Sequence, residues 1–100
     1  MAINGAPVIA GEDRCIGPEG TVHVFDLVLS DPDGDRLSWR AWTERPRGLL
    51  APVAGTGLSS GTSIRIVYTP EAGRDENTIV LLVADARGAS MTKTLYVRSG

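Results

Sequence analysis

Residues 29–39, LSDPDGDRLSW, place Asp31, Asp33 and Asp35 within five positions. Carboxylates this close repel one another unless water, an arginine or a cation screens them. A hard cation such as Ca2+ takes about six to eight oxygens, of which Asp31 and Asp33 could supply a share. Counted from Asp31, the glycine and glutamate positions of an EF-hand loop hold Arg36 and Trp42, so the stretch is not an EF-hand. Two readings stay open. In one, Asp-Pro starts a turn, Asp33-Gly34 completes it, and the aspartates accept local backbone N–H groups. In the other, the loop is part of a calcium corner whose remaining oxygens come from elsewhere.

Other chemistry has less to stand on. His23 is the only histidine and lies between Val22 and Val24, where a half-exposed strand residue is expected. No Gly-x-Ser-x-Gly elbow accompanies it, as a serine hydrolase of that type would need. The glycines are scattered rather than gathered ahead of a helix, so no phosphate-cradling loop is formed. Cys15 is the only cysteine, which excludes an intrachain disulfide and a Cys-rich zinc site. Five aromatics leave little wall for a sugar cleft, and a catalytic role is not expected.

The elements that must hold these residues read as strands. "APVIA" (6–10) is short and proline-started, as an edge strand would be. "TVHVFDLVLS" (21–30) is β-rich, and its apolar set shifts phase from Val22 and Val24 to Phe25, Leu27 and Leu29, which predicts a bulge near Val24. "RLSWRAW" (36–42) alternates, with Trp39 on the face of Leu37 and Ala41 and Trp42 on the other. Trp39 is therefore the expected core pin and Trp42 a rim residue or partner contact. "GLLAPVAG" (48–55) reads as one short edge strand limited by Pro52, and "SIRIVYT" (63–69) points Ile64, Ile66 and Tyr68 inward. "NTIVLLVAD" (77–85) is apolar on both parities, as a central strand covered on both faces would be. "MTKTLYVRS" (91–99) puts Met91, Leu95 and Val97 on one parity with Lys93.

No window carries a helical repeat with caps. About seven short strands with Gly, Pro, Asp and Ser between them predict an all-β fold, an immunoglobulin-like sandwich of two antiparallel sheets. One hundred residues, 42% of them hydrophobic, suit a single domain spanning 1–100. A net charge of −2 gives no bulk reason to bind nucleic acid or anionic lipid, and no apolar run is long enough for a membrane helix. "MAINGAPVIAGEDRC" lacks the basic start and apolar stretch of a signal peptide, so the export signal of a surface protein would lie elsewhere.

Four segments, "NGAPVI", "SDPDGDRLSW", "YTPEAG" and "LLVADARGASMTKTLYV", stand in the order seen in cadherin-like and related immunoglobulin-like repeats of bacterial surface proteins. The resemblance spans nearly the whole chain. "DPDGD" is similar to the cadherin Asp-x-Asp, matching Asp31 and Asp33, and "VADARGAS" to Ala-x-Asp-x-Gly, matching Asp85. "NGAP", with Asn4, resembles the linker into such a repeat, and Glu19 matches an acid of an early loop at the opposite pole. What the resemblance implies is a calcium site of Asp31, Asp33 and Asp85 at the N-terminal pole, completed by the preceding repeat. The acidic motif of a second site is absent, "TPEAG" standing near its place. Polycystic-kidney-disease-type repeats also resemble the chain through "SDPDG", although "WRAWTE" replaces their continuation.

The expected function is accordingly that of a structural or adhesive repeat module, extracellular or at the cell surface, with calcium stiffening its junction with neighbouring domains of the same chain. An accessory module of a secreted enzyme, binding carbohydrate or protein through its loops or Trp42, is the alternative. A decoration domain of a phage or virion is a third. Neither nucleic acid nor membrane insertion is expected.

Overall fold

Alternating apolar residues make the chain extended almost throughout, because a strand buries one face and wets the other. A computed structural model describes residues 5–72 and 75–100. Among them lie nine strands: β1 (Val8–Ala10), β2 (Arg14–Gly17), β3 (His23–Ser30), β4 (Leu37–Thr43), β5 (Leu49–Ala51), β6 (Ala54–Leu58), β7 (Thr62–Thr69), β8 (Asp75–Asp85) and β9 (Ser90–Ser99). One sheet has the order β1-β3-β7-β5 and the other β2-β9-β8-β4-β6. All pairings are antiparallel except β2 with β9, which is parallel. No helix occurs among the described residues. Asn4 lies outside them.

The core forms where the two sheets face. Phe25, Leu27 and Leu29 of β3 and Ile64, Ile66 and Tyr68 of β7 meet Trp39, Ile79, Leu81, Val83, Leu95 and Val97 of the other sheet. Trp39 is 6% exposed and Trp42, three residues on and of opposite parity, is 42% exposed. Burying an aromatic of this size contributes several times the thermal energy, so Trp39 does pin the sandwich.

Several expectations are corrected. β3 has no bulge: its pairing with β7 runs without a shift from His23 to Leu29. The inward set is His23, Phe25, Leu27 and Leu29, and it is the valines, Val22, Val24 and Val28, that face solvent. His23 is thus buried, not half-exposed, because its ring nitrogens find partners inside. The segment 48–55 is not one strand. It breaks at Pro52, after a cis Ala51–Pro52 bond, and sends β5 to one sheet and β6 to the other. β8 is covered on one face only, with Val80, Leu82 and Ala84 half-buried on the outer side. Met91 is exposed, since β9 enters the core only from Leu95 onward.

Strand register defines two poles. Val8 pairs with Ser30 and Leu37 with Asp85, so the loop after β3 and the turn after β8 share the N-terminal pole with the start of β1. Asp75 pairs with Ser99 and His23 with Tyr68 at the other.

Candidate metal centre at the N-terminal pole

Asp31-Pro32-Asp33-Gly34 folds as a turn, as its residues dictate. Proline fixes the second position, and Gly34, at φ +72°, takes a left-handed conformation that other residues resist. Gly34 N donates to Asp31 O at 3.0 Å, and Asp33 N donates to Asp31 Oδ1 at 2.7 Å. Ser60 anchors the turn from the loop before β7, its Oγ accepting from Asp31 N at 2.8 Å. Asp33 Oδ2 accepts from Gly5 N at 2.8 Å, tying the incoming chain to the same loop.

This geometry turns three carboxylates toward one another. One oxygen from each of Asp31, Asp33 and Asp35 lies within 4.8 Å of the other two. Asp31 is only 5% exposed, and its Oδ2 is buried with no hydrogen-bond donor among the described residues. Asp35 Oδ2 is likewise buried without a hydrogen bond, although the Arg87 Nε stands 3.3 Å away. The ion pair and the missing bond are compatible: the charges are close, but the N–H is not aimed along the contact. A buried carboxylate oxygen with no donor is costly, and hard cations answer that cost with oxygen ligation.

Of the acids expected to meet, Asp31 and Asp33 do. Asp85 stands at the same pole but outside this group of oxygens. Its carboxylate is drawn into its own turn, where Oδ1 accepts from Arg87 N and Ala89 N, each at 2.9 Å. Asp35 takes part instead, and the signal for it was the third aspartate of "DPDGD". Glu19 is exposed in the loop after β2, at the opposite pole.

That opposite pole holds a second group of titratable residues in a structural network. His23 Nε2 and Ser99 Oγ are 2.7 Å apart, and His23 Nδ1 and Cys15 Sγ 3.1 Å. The hydroxyl and thiol can each donate or accept, so either neutral tautomer closes both contacts. Burial lowers the His23 pKa below the ordinary histidine value, with the negative charge of Asp75 partly opposing it. Tyr68 OH donates to Asp75 Oδ2 at 2.6 Å, and Arg47 Nε pairs with Asp75 Oδ1 at 2.9 Å. Burial, then the bond to Asp75, raises the Tyr68 pKa. Asn77 Nδ2 donates to the carbonyls of Arg45 and Arg47, stitching the β4–β5 loop to β8. Among the described residues no carboxylate bonds either nitrogen of His23, so the pair with Cys15 has no orienting acid of the kind a triad uses.

On the outer face of the larger sheet, Arg40 lies over the Trp42 ring at 5.7 Å and Arg14 over Tyr96 at 5.6 Å. A shallow groove of about 400 Å3 beside Leu82 and Ala84 has Arg40 as its only charged lining residue.

Two facing, mainly antiparallel sheets with a tryptophan pin on the strand after the acidic loop define the class: an immunoglobulin-like β-sandwich module. The chain belongs to the bacterial Ig domain family, whose profile matches residues 4–98. Such domains are typically non-catalytic and occur in extracellular or surface proteins. An MSP-domain-like protein of Caenorhabditis elegans superposes with a TM-score of 0.69 at 22% identity, over 87% of this chain and 94% of that one. The PKD domain of an M14-like peptidase from a Thermoplasmatales archaeon gives a TM-score of 0.62 at 18% identity, over 97% and 98%. A conjugative transposon lipoprotein of Bacteroides eggerthii gives 0.61 at 14%, over 92% and 94%. At these identities the likeness establishes the fold alone. Among curated proteins, none matches the chain.

Proposed function

We propose that the domain is a structural spacer of an extracellular or surface protein, binding Ca2+ at its N-terminal pole. The ligands would be Asp31, Asp33 and Asp35, and the partners neighbouring domains of the same chain. The observation that carries the cation is Asp31 Oδ2, buried without a donor among the described residues, in a group of three carboxylates. The spacer reading draws on the path of the chain. Gly5 is bound at the acidic pole and Gly100 N donates to Gly17 O at the other, so successive domains would join end to end. Three carboxylates supply too few oxygens for Ca2+ unless some bind through both atoms or water and the preceding domain complete the shell. The isolated domain should therefore bind weakly, with a Kd on the order of 10−4–10−3 M.

Melting of the domain in millimolar CaCl2 and in chelator tests this. A rise in melting temperature with calcium, larger when the preceding domain is attached, supports the reading. An unchanged melting temperature in both forms leaves the loop as a turn and nothing more.

A further inference from the structure

Arg87 leans over the acidic group from solvent. Its side chain is 57% exposed, whereas that of Asp35 is 16% exposed, so the guanidinium reaches down to a largely covered carboxylate. The backbone beneath it is fixed. Asp85 Oδ1 accepts from Arg87 N and Ala89 N, Gly88 N donates to Asp85 O at 3.2 Å, and Gly88 sits at φ +96°. Asp85 therefore sets the turn that aims Arg87 at Asp35. Beyond Asp35, the side chain of Arg87 has no hydrogen-bond or ion-pair partner among the described residues. Among the described residues, only the acidic group holds it there.

We infer that Arg87 is a built-in competitor for the divalent cation at Asp31, Asp33 and Asp35, and that it sets how weakly the site binds. This rests on the calcium reading above. Without a cation, three neighbouring carboxylates gain from one positive charge held 3.3 Å from Asp35. A divalent ion seated among the same oxygens meets that charge as repulsion and must push the guanidinium out to water. The exposure of Arg87 makes the outward swing sterically free, so the contest is electrostatic. Because Asp35 Oδ2 receives no aligned hydrogen bond from Arg87, the pair is held by charge rather than by the bidentate fork that would lock it.

Charge at position 87 should then order the affinities. Calcium titrations by calorimetry at fixed ionic strength compare the wild type with Arg87→Lys, Arg87→Ala and Arg87→Glu. Arg87→Lys keeps the charge and should bind within about twofold of the wild type. Arg87→Ala should bind about three- to tenfold more tightly, the scale of one exposed charge acting on a divalent ion. Arg87→Glu should bind more tightly still, and the spread should shrink in high salt. Equal affinities across the four, with binding lost in Asp31→Asn, would overturn the role of Arg87 and leave the cation site standing. No binding by any of them, Arg87→Glu included, would overturn the site and this inference together.

Discussion

His23 Nε2 and Ser99 Oγ are 2.7 Å apart, joining the first residue of β3 to the last of β9 and so one sheet to the other. Each residue is almost fully buried, so the contact is a latch between layers at the C-terminal pole. A neutral ring closes it; an imidazolium there would bring a charge into a largely desolvated place.

The stability of the domain should consequently fall in mild acid. Because burial lowers the folded-state pKa of His23, the unfolded chain takes up a proton first as pH falls below about 6.5. The contribution is fully present above that value and is lost as pH drops through the window between the unfolded and folded pKa values. Urea midpoints between pH 7.5 and 5 should drop more steeply for the wild type than for His23→Gln. Parallel curves would refute the assignment.

Trp39→Ala should cost about 3–5 kcal/mol, the usual price of deleting a large core aromatic. Trp42→Ala should cost under about 1 kcal/mol, since an exposed ring beneath an arginine contributes little. Denaturant unfolding of both variants gives the comparison, and similar losses would contradict the parity of β4.

Gly55 is required by its neighbour across the ladder. A β-carbon there would lie 2.5 Å from Trp39 Nε1, too close for any packed pair. Gly55→Ala should therefore destabilise by about 1–3 kcal/mol, as overpacking does. Gly57→Ala has open space but a left-handed backbone, at φ +65°, and should cost about 1 kcal/mol through conformation alone. Restoration of Gly55→Ala stability by a smaller residue at position 39, measured as a double-mutant cycle, would identify the clash as the cause.

Asp31→Asn tests the opposite pole by linkage. The amide keeps an oxygen for Asp33 N but removes one of three crowded charges. In chelator its stability should equal or exceed that of the wild type, because like-charge repulsion is relieved. At a calcium concentration ten times Kd, the wild type should gain about 1.4 kcal/mol and the variant nothing. Equal gains in both would remove Asp31 from the ligand set.

Tyr68→Phe should lose about 1–3 kcal/mol, because Asp75 would stay buried without its 2.6 Å donor. The wild type should also weaken above about pH 10. There the unfolded tyrosine ionises while the folded one, its pKa raised, holds its proton. Tyr68→Phe should lack that alkaline component in pH-dependent unfolding.

Local chemistry was legible in the residues. Strict alternation in 63–69 pointed Ile64, Ile66 and Tyr68 inward, and the spacing of Trp39 and Trp42 placed them on opposite faces, because side-chain direction in a strand has a period of two. Asp-Pro-Asp-Gly specified its turn for equally local reasons. The phase of β3 was not legible, since Val and His compete for the inward place and the choice depends on partners 8 and 76 residues away, Cys15 and Ser99. Nor was the division of 48–58 between two sheets, which depends on which strand edges are free. The third acid of the cluster was decided in the same way. Asp35 and Asp85 lie at one pole, but the turn after β8 claims the Asp85 carboxylate for its own N–H groups and turns Arg87 toward Asp35. Short-range backbone preference is written residue by residue; the direction in which a charge finally points is fixed by register between strands that the sequence keeps far apart.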